Sequence, residues 1–296
     1  MHTKLKILFP DWKNFGVDDI KDAFEKMGHE VIIYKTEPKN YRIDPRFKSE
    51  LKKYIRANEI TLMFTSNYFP VVADACHEVN IPYISCCYDS PLVLTFSKTV
   101  FYPTNFIFIF DSKMVADLQN LGVKQVFYMP MAVNPDRLNK LHTTSEQRKL
   151  IDADISFVGS LYSEKHTLYD RMTDLDDYTK GYIDGVMKAQ EQIYGISIVE
   201  DALTPEIIDA MYKKMPINIH EDDLETKSYV YANYFINRKI TQTERPILLK
   251  EISEALPQME AQVGRKLKPL KLYTHNPTPF LPKVENMGTI HYMKEM

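Results

Sequence analysis

Four short polar runs in this 296-residue chain hold the side chains best suited to chemistry. They are Asp11-Trp12 with Asn14 and Gly16, then Thr65-Ser66-Asn67, then Tyr88-Asp89-Ser90, and finally Asp111-Ser112. Each sets an acid or an amide beside a hydroxyl or an aromatic ring. A carboxylate in such company can take a proton from a substrate hydroxyl. The candidate bases rank as Asp89, then Asp11, then Asp111. Trp12, Asn14, Gly16, Asn67, Tyr88, Ser90 and Ser112 are the candidate substrate-binding residues around them. Every run also has a plain structural reading. Asp111-Ser112 reads equally well as a helix cap, and Asp89-Ser90-Pro91 as a turn closed by its own side chain.

What makes the four runs one site is the pattern of elements between them. Leu5, Ile7, Leu8 and Phe9 form an apolar run suited to a strand buried on both faces. Val17, Ile20, Phe24 and Met27 then recur at helical spacing, Gly28 stops that helix, and Val31–Tyr34 makes the next strand. A helix between two such strands is a right-handed parallel crossover. The alternation continues with a helix over Phe47–Ala57, a strand at Ile60–Phe64, a helix at Pro70–Val79 and a strand at Ile81–Cys87. After these come strands at Phe106–Phe110 and Gln125–Met129, with a helix through Leu121 between them. The expected fold class is therefore α/β, with a Rossmann-like, doubly wound parallel sheet over residues 1–142. In such sheets ligands bind beyond the carboxyl ends of the strands, and each polar run is a strand exit.

Composition narrows the field further. A net charge of −3 argues against a broad grip on nucleic acid. No stretch approaches the ~18 apolar residues of a membrane span. Cys76, Cys86 and Cys87 have neither disulfide nor zinc spacing and read as small buried hydrophobes, which, with no export signal, suggests a cytoplasmic protein. No GxGxxG follows the first strand, and P-loop, HExxH and GxSxG patterns are missing, so dinucleotide, zinc-protease and serine-hydrolase chemistry lack a basis. Asp152 and Asp154 are spaced like a metal-binding pair but precede a strand, so no metal and no cofactor is expected.

The second half, residues 150–296, reads differently. Thr143–Lys149 is a polar linker, and Ile155–Gly159 starts a new strand. A helical insertion follows over about 163–265, with candidate helices at Glu164–Met172, Asp176–Ile193, Pro205–Lys214, Leu224–Arg238 and Arg245–Val263. Its aromatic residues Tyr229, Tyr231, Tyr234 and Phe235 either pack these helices or offer a platform to a sugar ring. Strands return at Leu270–Thr274 and Thr289–Met293.

The order LFPDW, FG, GHEV, CCYDSP, FIFIFDS, YMPMAVNP and DISFVGSLYSEKH resembles the N-terminal region of the spore-maturation (CgeB-type) glycosyltransferase-like proteins. The likeness covers most of residues 4–170 and resumes from KLYTH to GTIHYMKEM. It implies a GT-B glycosyltransferase, with two Rossmann-like halves across a cleft. The first half would hold a sugar or protein acceptor, and the second a nucleotide-sugar donor with Gly159 and Ser160 near its phosphates. The basic pair common after this strand in many GT-B enzymes is not matched, and Lys165 is a weak substitute. The insertion departs from the pattern and could serve a homo-oligomer. The donor side's later units and acidic motif would lie past Met296, so the polypeptide is expected to be a truncated form, inactive alone. Two other readings stay open: a non-catalytic binding or scaffold protein, and another enzyme using a nucleotide or sugar phosphate.

Overall fold

The computed structural model describes residues 3–12, 14, 16–163, 167–219, 223–281 and 283–289. The fold is α/β on parallel sheets, as expected, and divides into two compact units: residues 1–135 with 220–225, and residues 136–219 with 226–296.

Unit 1 is a six-stranded sheet of β1 (Lys6–Pro10), β2 (Glu30–Tyr34), β3 (Leu62–Ser66), β4 (Tyr83–Cys87), β5 (Asn105–Ile109) and β6 (Val126–Tyr128), in the order β2-β1-β3-β4-β5-β6. Every pairing is parallel. Strand order reverses between β1 and β3, which is where a crevice opens in sheets of this kind. Helix α1 (Val17–Lys26) lays Val17, Ile20 and Phe24 on Ile7, Phe9, Leu62 and Phe64 of one face. The opposite face is covered by α2 (Pro45–Ala57), α3 (Pro70–Val79) and α4 (Ser112–Asn120), through residues such as Leu51, Val72 and Leu118. Cys76 and Cys87 are buried, and burial raises their thiols well above the ordinary value. Cys86 is pushed up to about 11 by the same cause, so all three stay protonated.

Two helices on that face are clamped by charge. Lys48 of α2 reaches Asp74 and Glu78 of α3, each at 2.8 Å, and Lys52 also bonds Glu78. Tyr102 Oη donates to Asp74 Oδ1 at 3.0 Å, while its ring stacks on His77 with centroids 4.0 Å apart. Residues 223–225 also belong to this unit. Leu224 N donates to the Phe96 carbonyl at 2.7 Å, and Arg42 pairs with Asp223 and Glu225.

Unit 2 has two cores. The chain enters through the single turn α5 (Pro135–Leu138) and then forms α6 (Ser145–Ile151), where a linker is expected. The reason is a capping box: Thr144 Oγ1 accepts from Gln147 N at 3.1 Å, and the Gln147 side chain accepts from Thr144 N at 2.9 Å. β7 (Ser156–Val158), β8 (Leu270–Tyr273) and β9 (Val284–Asn286) form a parallel sheet in that order, over Leu161, Leu249, Leu272 and Leu281. The strand expected at Thr289–Met293 lies outside the described residues save for Thr289, which is not in a strand, and β9 takes its place in the sheet.

The helical part packs α7 (Asp177–Gln190), α8 (Val199–Ala202), α9 (Pro205–Lys214) and α10 (Lys227–Val230) around Ile183, Ile207, Met211, Tyr231 and Phe235. Tyr231 and Phe235 are therefore core residues, with rings edge to face at 5.0 Å. The helix expected at Glu164–Met172 is absent over Thr167–Met172, which forms turns. There Thr167 and Asp170 exchange side-chain and backbone bonds of 2.9 to 3.2 Å, and Lys239 holds the Asp170 carboxylate at 2.7 Å. Such local bonds compete with a helix. Instead of two separate helices over 224–263, α10 runs through a π-helical stretch (Tyr231–Ile236) into α11 (Asn237–Val263), with Pro246 and Pro257 inside it.

The clamp between α2 and α3 sets a pH dependence. The two lysines hold the Glu78 carboxyl down at about 2, below its ordinary 4.5. A depressed carboxylate contributes stability above its unfolded value, and that contribution fades as pH falls from about 4.5 to about 2. The group is partly exposed, so Glu78→Gln should cost only ~0.5–1 kcal/mol at pH 7. In urea unfolding at stepped pH, the mutant and wild-type midpoints should converge as pH approaches 2. A gap that persists at the lowest pH would place the effect in packing.

Candidate functional site

Parallel pairing brings the exits of β1, β3, β4 and β5 to one edge of the unit 1 sheet. Asn67, just past β3, is the hub. Its backbone is left-handed, with φ of 68°, a conformation asparagine tolerates better than most residues. Its amide is spent entirely on the next strand exit. Oδ1 accepts from Tyr88 N at 3.0 Å and Asp89 N at 3.3 Å, while Nδ2 donates to Asp89 Oδ2 at 2.7 Å. Asn67 itself is 8% exposed. Beneath it, Thr65 Oγ1 donates to the Asn67 carbonyl at 2.6 Å and bonds Tyr83 Oη at 2.7 Å.

The third and fourth runs are joined as well. Ser90 Oγ donates to Asp111 Oδ2, and Asp111 Oδ1 caps α4 by accepting from Lys113 N at 2.8 Å and Met114 N at 3.3 Å. Asp111 thus fills the helix-cap role as well as facing Ser90, and Ser112 is the first residue of the helix it caps. Asp89 differs. One of its oxygens is anchored by Asn67, and among the described residues the other accepts no bond, on an exposed residue.

The first run divides. Asp11 lies at the β1 exit, with its backbone N–H bonded to the Tyr34 carbonyl at 3.0 Å. Trp12 does not join a polar rim. It is buried, with Phe69, Tyr41 and Phe47 ring centroids 5.0 to 5.9 Å away and Nε1 donating to the Thr36 carbonyl at 2.9 Å. The apolar strand beside it and the aromatic residues of 41–69 explain why an indole is drawn inward. Asn14 Nδ2 reaches the Pro10 carbonyl at 3.3 Å, and Gly16 starts α1 with φ of 71°. The structure therefore joins Asn67 to Tyr88 and Asp89, and Ser90 to Asp111, by direct bonds, while Asp11, Asn14 and Gly16 stand at the neighbouring exit.

A second polar cluster lies at the exits of the unit 2 sheet, around Gly159 and Ser160. Gly159 leaves β7 with φ of 151°, a backbone conformation that side-chain-bearing residues rarely adopt, although a Cβ there would meet the Phe157 ring only at ordinary contact distance, 3.4 Å. Asn276, past β8, is buried and gathers this loop: its Oδ1 accepts from Leu161 N at 2.6 Å, Thr274 Oγ1 at 3.1 Å and Ser160 Oγ at 3.3 Å. Asn286, at the end of β9, donates to the Asn276 carbonyl at 2.9 Å. From α11, Arg245 Nη1 donates to the Ser160 carbonyl at 2.6 Å and Gln242 Nε2 to the Tyr162 carbonyl at 3.0 Å. Sequence reasoning missed Asn276, Gln242 and Arg245. Asn276 had a signal, because Thr274-His275-Asn276 is a polar strand exit like those of unit 1. Gln242 and Arg245 had none, since no motif marks a helix residue that reaches a loop some eighty positions away. Among the described residues no group of three or more His, Cys, Asp or Glu could hold a metal ion, and no helix is long and apolar enough to cross a membrane.

Compared with protein-family models and with curated proteins, the chain matches none. Among solved structures it is similar to a glycosyltransferase from Rickettsia africae ESF-5, at 16% identity over 79% of this chain and 72% of that one, with a TM-score of 0.36. It is also similar to MurG of Acinetobacter baumannii, at 9% identity over 95% of this chain and 79% of that one, with a TM-score of 0.35.

The Asn67 hub has a direct test. Asn67→Asp keeps the left-handed backbone within reach and keeps an acceptor for Tyr88 and Asp89, but sets two carboxylates against each other where the 2.7 Å bond now lies. Mutual repulsion raises the pKa of the pair, so the variant is relieved below the ordinary carboxylate range and destabilised as pH rises through it. A loss of ~1–3 kcal/mol at pH 7 is expected from the broken bond and the like charges. Thermal melts from pH 3 to 8 should show the deficit growing with pH. A pH-independent deficit would mean that Asn67 and Asp89 are not in contact.

Proposed function

We propose that the chain acts in sugar transfer from a nucleotide-sugar donor, in the manner of the CgeB-type glycosyltransferase-like proteins. In this reading unit 1 binds a sugar or protein acceptor at its strand exits, and unit 2 receives the donor. The observation that carries the reading is Asp89, an exposed residue whose carboxylate is anchored through one oxygen at the carboxyl edge of a parallel sheet, while the other oxygen accepts no bond from a described residue. That is what a general base for an acceptor hydroxyl requires: a fixed position and an uncommitted lone pair. Asp111 is the weaker base, because both of its oxygens already accept bonds. Asp11, at the exit of β1 beside the reversal of strand order, orients the acceptor.

The chemistry is displacement at the anomeric carbon. The acceptor oxygen gives up its proton to Asp89 as it bonds to carbon, and the bond to the diphosphate breaks with charge collecting on the leaving oxygens. No metal or cofactor is part of the proposal.

Asp89→Asn tests it, because the amide keeps the shape and an acceptor for Asn67 but removes the base. With a donor and acceptor pair that supports turnover, release of nucleoside diphosphate should fall by ~10²–10⁴-fold, the usual worth of a positioned base. The melting temperature should change little. Undiminished turnover in the variant would remove Asp89 from the mechanism. In amide spectra, sugar acceptors should shift Asn67 and Tyr88–Ser90. If sugars shift only resonances elsewhere, the acceptor site is misplaced.

A further inference from the structure

Asp89 takes its position from Asn67, and Asn67 takes its own from a row of buried hydroxyls beneath it. Phe69 N donates to Tyr83 Oη at 3.0 Å, Tyr83 Oη lies 2.7 Å from Thr65 Oγ1, and Thr65 Oγ1 donates to the Asn67 carbonyl at 2.6 Å. Thr65 and Tyr83 are fully buried, and Asn67 and Phe69 nearly so. The direction of the middle bond follows from the outer two. A carbonyl only accepts, so the single hydroxyl hydrogen of Thr65 points at Asn67, and the hydrogen between the two hydroxyls comes from Tyr83. Burial raises the Tyr83 phenol well above its ordinary value, so that hydrogen stays in place at neutral pH.

The two ends of the row land on the Asn67 carbonyl and the Phe69 N–H, and so bracket the turn that leaves β3 and opens α3. Asn67 N is held as well, by the Cys86 carbonyl at 2.9 Å. Left-handed backbone is uncommon even for asparagine, and residue 67 keeps its φ of 68° with the peptide groups on both sides tied. A turn to the right-handed region would break these ties and swing the amide away from Tyr88 N, Asp89 N and the Asp89 carboxylate, which it now holds. Two hydrocarbon side chains at 65 and 83 would suit the apolar surroundings equally well but would leave the turn unfixed. Tyr83 opens β4 and Asp89 lies just past its end, so the strand that carries the acid also carries its support.

We propose that Tyr83 and Thr65 are positioning residues for the Asp89 base. Acting through Asn67, they fix one Asp89 oxygen from the core, so that the carboxylate meets an acceptor hydroxyl already oriented. The proposal rests on the reading of Asp89 as the base and adds the residues that keep it in place.

The test is NMR of the intact chain at pH 7, without ligand, in wild type, Thr65→Val, Thr65→Ser, Tyr83→Phe, Tyr68→Phe and Asn67→Ala. The signals read are the carboxylate carbon of Asp89 and hydrogen exchange at the Tyr88 and Asp89 N–H groups. Thr65→Val and Tyr83→Phe should move the Asp89 carbon toward its position in Asn67→Ala and speed exchange at both N–H groups about tenfold. Thr65→Ser keeps the hydroxyl and should stay at the wild-type values. Tyr68→Phe removes another buried phenol of the same turn, bonded to Thr99 at 2.8 Å and Asn105 at 3.3 Å. It should lower the melting temperature as much as Tyr83→Phe does without moving the Asp89 signals. Unmoved signals in Thr65→Val and Tyr83→Phe, or equal movement in Tyr68→Phe, would reduce the row to a plain core contact and overturn the proposal. Thr65→Ser behaving like Thr65→Val would overturn it too. No substrate enters the measurement, so its failure leaves the reading of Asp89 as base standing. Undiminished turnover in Asp89→Asn, with the signals moving as expected, overturns the base reading and with it the catalytic meaning of the support.

Discussion

The parallel ladder of unit 1 is the constraint on which its polar edge depends. Because all six strands run the same way, every carboxyl end emerges at one edge, and each exit is one strand spacing, roughly 4.8 Å, from the next. Short side chains can bridge one such spacing and no more. That is why the bonds that form join neighbours: Asn67 after β3 to Asp89 after β4, and Ser90 after β4 to Asp111 after β5. The pairing of Ser66 with Cys86 and of Cys87 with Ile109 fixes the register. A slip of one residue would turn these side chains to the opposite face. The exits that carry Asp11 and Asp89 are two spacings apart, roughly 9 to 10 Å, too far for two carboxylates to bond to a shared partner side chain of one spacing's reach.

In unit 2 the corresponding constraint is one long helix serving two cores. Ile240 of α11 belongs to the helical cluster, and Leu249 packs on the sheet. Nine residues apart, they lie on opposite sides of the helix. Gln242, Arg245, Leu249 and Ile252 recur at spacings of three and four, so they form one stripe. Its apolar half covers the sheet, and its polar end reaches the β7 exit. The π-helical stretch before α11 joins it to α10 without a break. Pro246 removes one backbone donor, yet the helix continues through it.

The strands of unit 1 and their order were legible because apolar runs, helical stripes and glycine stops agreed with one another. Gly28 at φ of 89° and Pro70 at the start of α3 are local signals that tertiary packing had no reason to override. Trp12 was read as a rim residue because only its polar neighbours are visible in sequence, whereas its fate was settled by Tyr41, Phe47 and Phe69. The capping box at Thr144 and Gln147 was present to be read but was submerged in a polar stretch. The polar grip on the β7 loop was not legible at all, because it depends on contacts across eighty residues or more, and no local spacing encodes a long-range contact.

The two bonded acids differ in how their oxygens are engaged. Asp111 holds the first turn of α4 through Oδ1, a cap worth ~0.5–2 kcal/mol, and accepts a charge-assisted bond from Ser90 through Oδ2. Asp89 accepts one side-chain bond, from Asn67, and that amide donates to one oxygen only. The other oxygen accepts no bond from a described residue. The same register that anchors Asp89 through one oxygen therefore leaves the other clear of the described residues, whereas Asp111 has one oxygen engaged at a helix cap and the other at Ser90.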